Sequence, residues 1–214
     1  MSFKAAARVS MSHQTPTAGI ILAGGSSTRF GRPKQLLKLR GKYLLEYVLN
    51  AALESKLNHV VLVLGHEYQR ILHTLVTCTT HERLQLVINH QHLEGQSRSL
   101  KAGLLKIRDI FSAVMFLLGD QPMLDSNTID HMLDKFRYSD KDICVPVCNG
   151  KRRNPAIFNR VLFDQLMGIE GDIGARDIIR ANPDRVLYVE MNNPLCFVDI
   201  DSQQDFENLQ LLLD

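Results

Sequence analysis

Apolar residues along this chain follow two patterns in alternation. Short unbroken runs form the first: AGIILA (Ala18–Ala23), HVVLVLG (His59–Gly65), LQLVIN (Leu84–Asn89) and AVMFLLGD (Ala113–Asp120). Runs of this length fit strands buried on both faces. Between them, apolar positions recur at helical spacing, as in Leu44, Leu45, Val48, Leu49, Ala52 and Leu53. Glu67–Val76 and Ser97–Ile110 read as further helices, and Ser126 as the N-cap of one running through Phe136. Later in the chain, DICVPV, PAIF, RVLYVEM and CFVDI predict strands, with Pro146 marking an edge or an end of the first. Arg160–Met167, Gly174–Ala181 and Gln203–Leu213 predict helices.

Strand and helix in regular alternation indicate an α/β chain: a Rossmann-like, doubly wound, mostly parallel sheet. Residues 1–17 read as a loose lead-in and 18–214 as a single domain, since no repeat, low-complexity tract or linker divides the 214 residues. Sheets of this kind bind ligands beyond the carboxyl ends of their strands. That rule directs attention to Gly24–Lys34, Gly65–His66, His90–Ser97, Gly119–Pro122 and Asp199–Asp201.

Composition narrows the class. With 45% hydrophobic and 22% charged residues and a net charge of +2, the chain has the make-up of an ordinary soluble enzyme. It holds no apolar stretch near the ~20 residues of a membrane span and no secretory pattern at its start. Cys78, Cys144, Cys148 and Cys196 lack CxxC spacing, which predicts buried free thiols in a reducing cytoplasm. One asymmetry stands out. No Asp or Glu precedes Glu46, whereas eight Lys and Arg do. A cationic first fifth suits either a polyanionic ligand or a merely solvated basic face.

The loop after the first strand favours the ligand. Gly24 and Gly25 let backbone amides approach an anion closely and permit positive φ. Arg29 offers a fork of donors to phosphate oxygens and Lys34 a mobile charge, with Pro33 stiffening the approach. Leu22 and Ala23 lead into this loop, and Gly65 ends the neighbouring strand, so all are candidate nucleotide contacts. The spacing fits neither GxxxxGKS/T nor GxGxxG. After the strongest strand, Asp120 is placed to hold Mg²⁺, with Asp201 as a second carboxylate and Asp199 orienting neighbours. Turn-capping is the plain alternative for Asp120. Gln96 and Ser97 open a helix where they can meet a base or ribose, or simply cap it. GDIGAR (Gly171–Arg176) and KRRNPAIF (Lys151–Phe158) are open to an acceptor. His90 and His92 share a face of an extended segment without a third metal ligand, and no GxSxG elbow is present.

Six stretches, in order, resemble the MobA-like nucleotidyltransferase family, particularly its molybdenum-cofactor cytidylyltransferase branch: LAGGSSTRFGRPKQLL, GQSRSLKAGL, GDQP, RNPAIF, GDIGAR and DIDSQQD. The resemblance spans nearly all of the chain after Thr17. It implies Mg²⁺-dependent transfer of a nucleoside monophosphate, CMP favoured, from NTP to the phosphate of molybdopterin, with release of pyrophosphate. It implies that Arg29 and Lys34 meet the triphosphate and that Asp120 binds metal. Asn154, Asp172 and Arg176 become candidate acceptor contacts, and a molybdoenzyme apoprotein a candidate partner. Gly24 stands where cytidylyl members often carry alanine and guanylyl members glycine; Arg153 stands where relatives commonly show glycine. Guanylyl transfer, transfer to a sugar or alcohol phosphate, a catalytically inactive cofactor-binding chaperone and a nicotinamide dehydrogenase are the alternatives.

Overall fold

A computed structural model describes residues 16–25, 30–171 and 174–213. The strands are β1 (Thr17–Ala23), β2 (Lys38–Leu39), β3 (Lys42–Tyr43), β4 (His59–Leu64), β5 (Leu84–Ile88), β6 (Ala113–Leu118), β7 (Ile143–Cys148), β8 (Lys151–Arg152), β9 (Ala156–Asn159) and β10 (Val186–Glu190). The helices are α1 (Leu44–Glu54), α2 (Tyr68–Thr74), α3 (Gln96–Ile107), α4 (Ser126–Arg137), α5 (Phe163–Met167), α6 (Arg176–Ala181) and α7 (Gln203–Leu213). Thr17, counted above with the lead-in, is the first residue of β1.

The main sheet runs β5-β4-β1-β6-β9-β7-β10, with β8 pairing to β7. All neighbours along the path are parallel except where β9 lies antiparallel to both β6 and β7. A short β2-β3 hairpin stands apart. From β1 the chain moves outward to β4 and β5, then crosses back to β6 on the other side. The switch in direction therefore falls between β1 and β6.

Period-two side-chain geometry sorts the buried strands into two faces. On one, Ile21, Leu62 and Met115 meet Leu45 and Leu49 of α1 and Ile129 and Met132 of α4. On the other, Ile20, Val61, Val63 and Val114 meet Leu100 and Leu104 of α3 and Leu166 of α5. The result is a three-layer α/β/α sandwich in which each fully buried aliphatic side chain contributes ~1.5–3 kcal/mol.

Four local expectations change. The N-cap of α4 is Asp125, not Ser126: its carboxylate accepts from the Thr128 amide at 2.7 Å. Pro146 is not on an edge, because β7 lies between β9 and β10. Its carbonyl accepts from the Arg153 amide, so the missing N–H faces the flank where β9 pairing, at Ile143 and Cys144, has already ended. CFVDI forms no ladder strand; Pro194–Phe197 is a 3₁₀ turn, and the residues after it run beside the end of β6. Cys144, Cys148 and Cys196 are buried free thiols, whereas Cys78 is only half-buried and donates to Glu46 at 3.0 Å. Burial pushes the Cys144 thiol up to about 12, which leaves it inert.

Candidate active site

β1, β4 and β6 end level: Leu22 pairs with Leu118, and Ala23 with Leu64. Gly24, Gly65 and Gly119 therefore emerge side by side. At Gly119 a Cβ would lie 2.9 Å from that of Ala23, so only glycine lets the β6 exit close onto β1 and set Asp120 beside the first loop. At Gly65 it would meet the Gly24 carbonyl oxygen at 2.6 Å. Gly24 and Gly25 do not use the positive φ that glycine permits. Close approach, rather than a left-handed backbone, is what this crossing demands.

A 3₁₀ turn at Lys34–Leu36 carries the cation inward. Gln35, a polar residue almost fully buried, anchors it by donating to the Ala23 carbonyl at 2.9 Å. Lys34 Nζ then donates to Asp120 Oδ2 at 2.6 Å and Asp201 Oδ1 at 3.0 Å. Burial alone would lower the Lys34 pKa. The Asp120 carboxylate, through charge and hydrogen bond, and Asp201 together outweigh it, so the ammonium is held above the usual lysine value.

Asp201 arrives through backbone geometry. The Ile200 amide donates to the Asp120 carbonyl at 3.0 Å, drawing Asp199 and Asp201 alongside the β6 exit. Asp205 then braces the turn, accepting from the Ser202 amide at 2.8 Å and its hydroxyl at 2.7 Å, while the Asp205 amide donates back to Ser202 Oγ. Asp199 Oδ1 accepts from Gln121 Nε2 at 2.9 Å. Although part of Asp199 reaches solvent, lost hydration first and the Asp120 charge second push it from an ordinary 3.8 up to about 6.

Beside this cluster opens a cavity of about 670 Å³. Of the sequence-predicted residues, Leu22, Ala23, Gly24, Gly25, Lys34, Gln96 and Asp120 line it. Ser97 does not. It is fully buried, with its amide donating to the Gly171 carbonyl, and Ser99, two residues further on, reaches the wall instead. Gly65 supports the loop from behind. Arg29 and Asp172 lie outside the described residues. Asn154 and Arg176 line a second, smaller cavity of about 300 Å³ that shares Gln121 and Asp199 with the carboxylate cluster.

Sequence reasoning missed Gln35, Ser99 and the Gln121–Asp199 bridge. A glutamine amid buried leucines was the available signal for the first; the other two depend on tertiary packing. His90 and His92 do not act as a pair. His90 stands against Tyr68 and His92 against His66. Asp120 Oδ1 is buried without a hydrogen-bond partner among the described residues. An orphan carboxylate oxygen with a second carboxylate nearby suits a hard cation that completes its shell with substrate phosphates. No group of three or more His, Cys, Asp or Glu able to hold a metal occurs among the described residues.

Residues 19–186 match the pattern of the MobA-like NTP transferase domain. The chain belongs to the MobA-like NTP transferase family. It is accordingly a nucleotidyltransferase. Purine catabolism protein PucB of Bacillus subtilis (strain 168) is 28% identical over 169 residues, 76% of this chain and 80% of that protein. A probable molybdenum cofactor guanylyltransferase of Thermococcus sibiricus is 27% identical over 129 residues, 60% of each chain. Nicotine blue oxidoreductase of Paenarthrobacter nicotinovorans is 27% identical over 201 residues, 89% of this chain and 95% of that one. The crystal structure of Rv0371c from Mycobacterium tuberculosis H37Rv superposes with a TM-score of 0.79 at 25% identity, over 92% of this chain and 99% of that one. Among the described residues no helix is long and apolar enough to cross a membrane.

Proposed function

We propose that this transferase moves a nucleoside monophosphate, CMP in the favoured reading, from an NTP to the phosphate of molybdopterin and releases pyrophosphate. The observation that carries the reading is the Lys34 ammonium set between Asp120 and Asp201 at the mouth of the glycine-walled cavity. A phosphate oxygen of the acceptor attacks the α-phosphorus in line, and the bond to the bridging oxygen of pyrophosphate breaks. The acceptor is already anionic, so no strong general base is needed. What the protein supplies is positioning and charge compensation. Lys34 neutralises charge gathering on the departing pyrophosphate, and the Gly24–Gly25 backbone lets the phosphates lie close to main-chain donors. Gln96 lines the same wall and reads base or sugar.

Asp120, with its orphan oxygen, and Asp201 would hold Mg²⁺, which when bound supplies Lewis-acid stabilisation to phosphate oxygens. Transfer of GMP is the second reading, supported by a specific contact. A Cβ at Gly24 would stand 2.8 Å from Ser99 Oγ, so Ser99 enforces the glycine form of the loop. The relative named as a molybdenum cofactor guanylyltransferase supports the same base.

Pyrophosphate release measured with each of the four NTPs and Mg²⁺, with and without molybdopterin, tests the proposal. Molybdopterin-dependent release from CTP is expected, and release from GTP alone would replace the base. No release with any NTP, together with NAD(H) binding in a fluorescence titration, would move the chain toward the chemistry named for its oxidoreductase relative.

A further inference from the structure

The second cavity carries a charge pattern that nucleotide binding leaves unused. Arg152, Arg153, Arg176 and Arg180 converge on about 300 Å³ of space. Arg180 has a partner, donating to Asp177 at 3.1 Å. Arg152, Arg153 and Arg176 form no ion pair among the described residues. One carboxylate faces them, Asp199, and its Oδ1 already accepts from Gln121. Two buried polar atoms here lack hydrogen-bond partners among the described residues: Arg153 Nε, a donor, and Gln121 Oε1, an acceptor. Such atoms are costly to bury unless a ligand completes them. They ask for complementary chemistry: an oxyanion for the guanidinium and an N–H or O–H for the amide.

The position of the cavity says which part of a substrate it takes. Asp120 lines the first cavity, and its chain neighbour Gln121, hydrogen-bonded to Asp199, lines the second, so the two cavities open on either side of the Asp120–Gln121 peptide. A phosphate reacting next to Lys34 lies in the first cavity. We propose that the arginine-lined cavity seats the acceptor through an anionic group other than the phosphate that reacts. The acceptor class is thus a phosphate monoester carrying a second anionic centre, with a hydrogen-bond donor beside it. This rests on the nucleotidyl-transfer reading above. Arginine suits the task because its planar fork matches oxyanions at two points and stays charged when partly desolvated.

The test uses the full chain with Mg²⁺ and saturating nucleotide to fill the first cavity, and titrates inorganic phosphate or sulfate calorimetrically. Wild type should bind the oxyanion saturably with nucleotide present. Arg153→Gln/Arg176→Gln should weaken this by at least ~10-fold while keeping the nucleotide-induced thermal shift, since each loses a charge-assisted hydrogen bond. Lys34→Ala should do the reverse. With acceptor, the double variant should show an acceptor KM raised by ~10-fold or more and an unchanged NTP KM. No saturable oxyanion binding in wild type, equal binding in the double variant, or displacement of the oxyanion by nucleotide would each overturn the proposal. Failure of the transfer reading registers separately, as no pyrophosphate release from wild type despite intact oxyanion binding. That result overturns the acceptor assignment and leaves an anion site.

Discussion

The two cavities are joined through the neighbouring residues Asp120 and Gln121 and are electrostatic opposites. In the first, the cation is outnumbered: Lys34 sits between Asp120 and Asp201, and two carboxylates face one ammonium. In the second, three arginines have no carboxylate partner among the described residues. A site with a carboxylate in excess disfavours a bare anion, but accepts a ligand that brings both phosphates and a cation. A site with unbalanced guanidinium groups attracts the anion alone. In the proposed reaction, the metal and nucleotide take the first cavity and the acceptor the second.

Asp120→Asn should break the first cavity most severely. It removes the negative charge that orders Lys34 and that would hold Mg²⁺ in the proposed reaction, and pyrophosphate release should fall ~10³-fold in steady-state assays. EDTA should reproduce much of that loss in wild type and little in the variant. Lys34→Ala should cost ~10²-fold in kcat, as for removal of one preorganised donor. It should also lower the melting temperature at pH 7.5, because Asp120, Asp199 and Asp201 then repel one another uncompensated. Near-normal turnover in both variants would dissolve the distinction between the cavities.

Gly24→Ala sharpens the picture of the nucleotide wall. The added methyl collides with Ser99 Oγ, so nucleotide affinity should drop roughly 3–10-fold by calorimetry. Pairing it with Ser99→Ala should recover most of that loss, a non-additivity that independent sites would not show. The smallest effect belongs to the bridge. Since folding raises the Asp199 pKa to about 6, the native state holds that proton more tightly than the unfolded chain. Stability therefore declines as pH climbs from about 4 through about 6 and stays lower above. Asp199→Asn should raise the melting temperature by ~2 °C at pH 7.5, for ~1 kcal/mol after allowing for solvent exposure, and by nothing at pH 4.

Much of the fold could be read from the chain because it rests on local periodicity. The four apolar runs became β1, β4, β5 and β6, and the Leu44–Leu53 stripe became α1. CFVDI misled for a physical reason: alternating apolar residues fit an extended segment whether or not a neighbouring edge is free to pair with it. Ser126 misled because Asp125, one residue earlier, is an equally good cap. In the site, Lys34, Asp120 and Asp201 were marked by where they leave their strands, whereas Ser97, read as a nucleotide contact or helix cap, is buried and Ser99 lines the wall instead.

By itself the sequence determined the layered α/β architecture, the family and the chemical character of each strand exit, since propensity, apolar spacing and loop composition act over a few residues. Only tertiary structure decided that Lys34, Asp120 and Asp201, up to 167 positions apart, share one pair of hydrogen bonds. It alone decided that three unbalanced arginines stand behind them. Level strand ends and a glycine crossing too tight for a methyl group create that convergence, and both are properties of strand order and register that no local window contains.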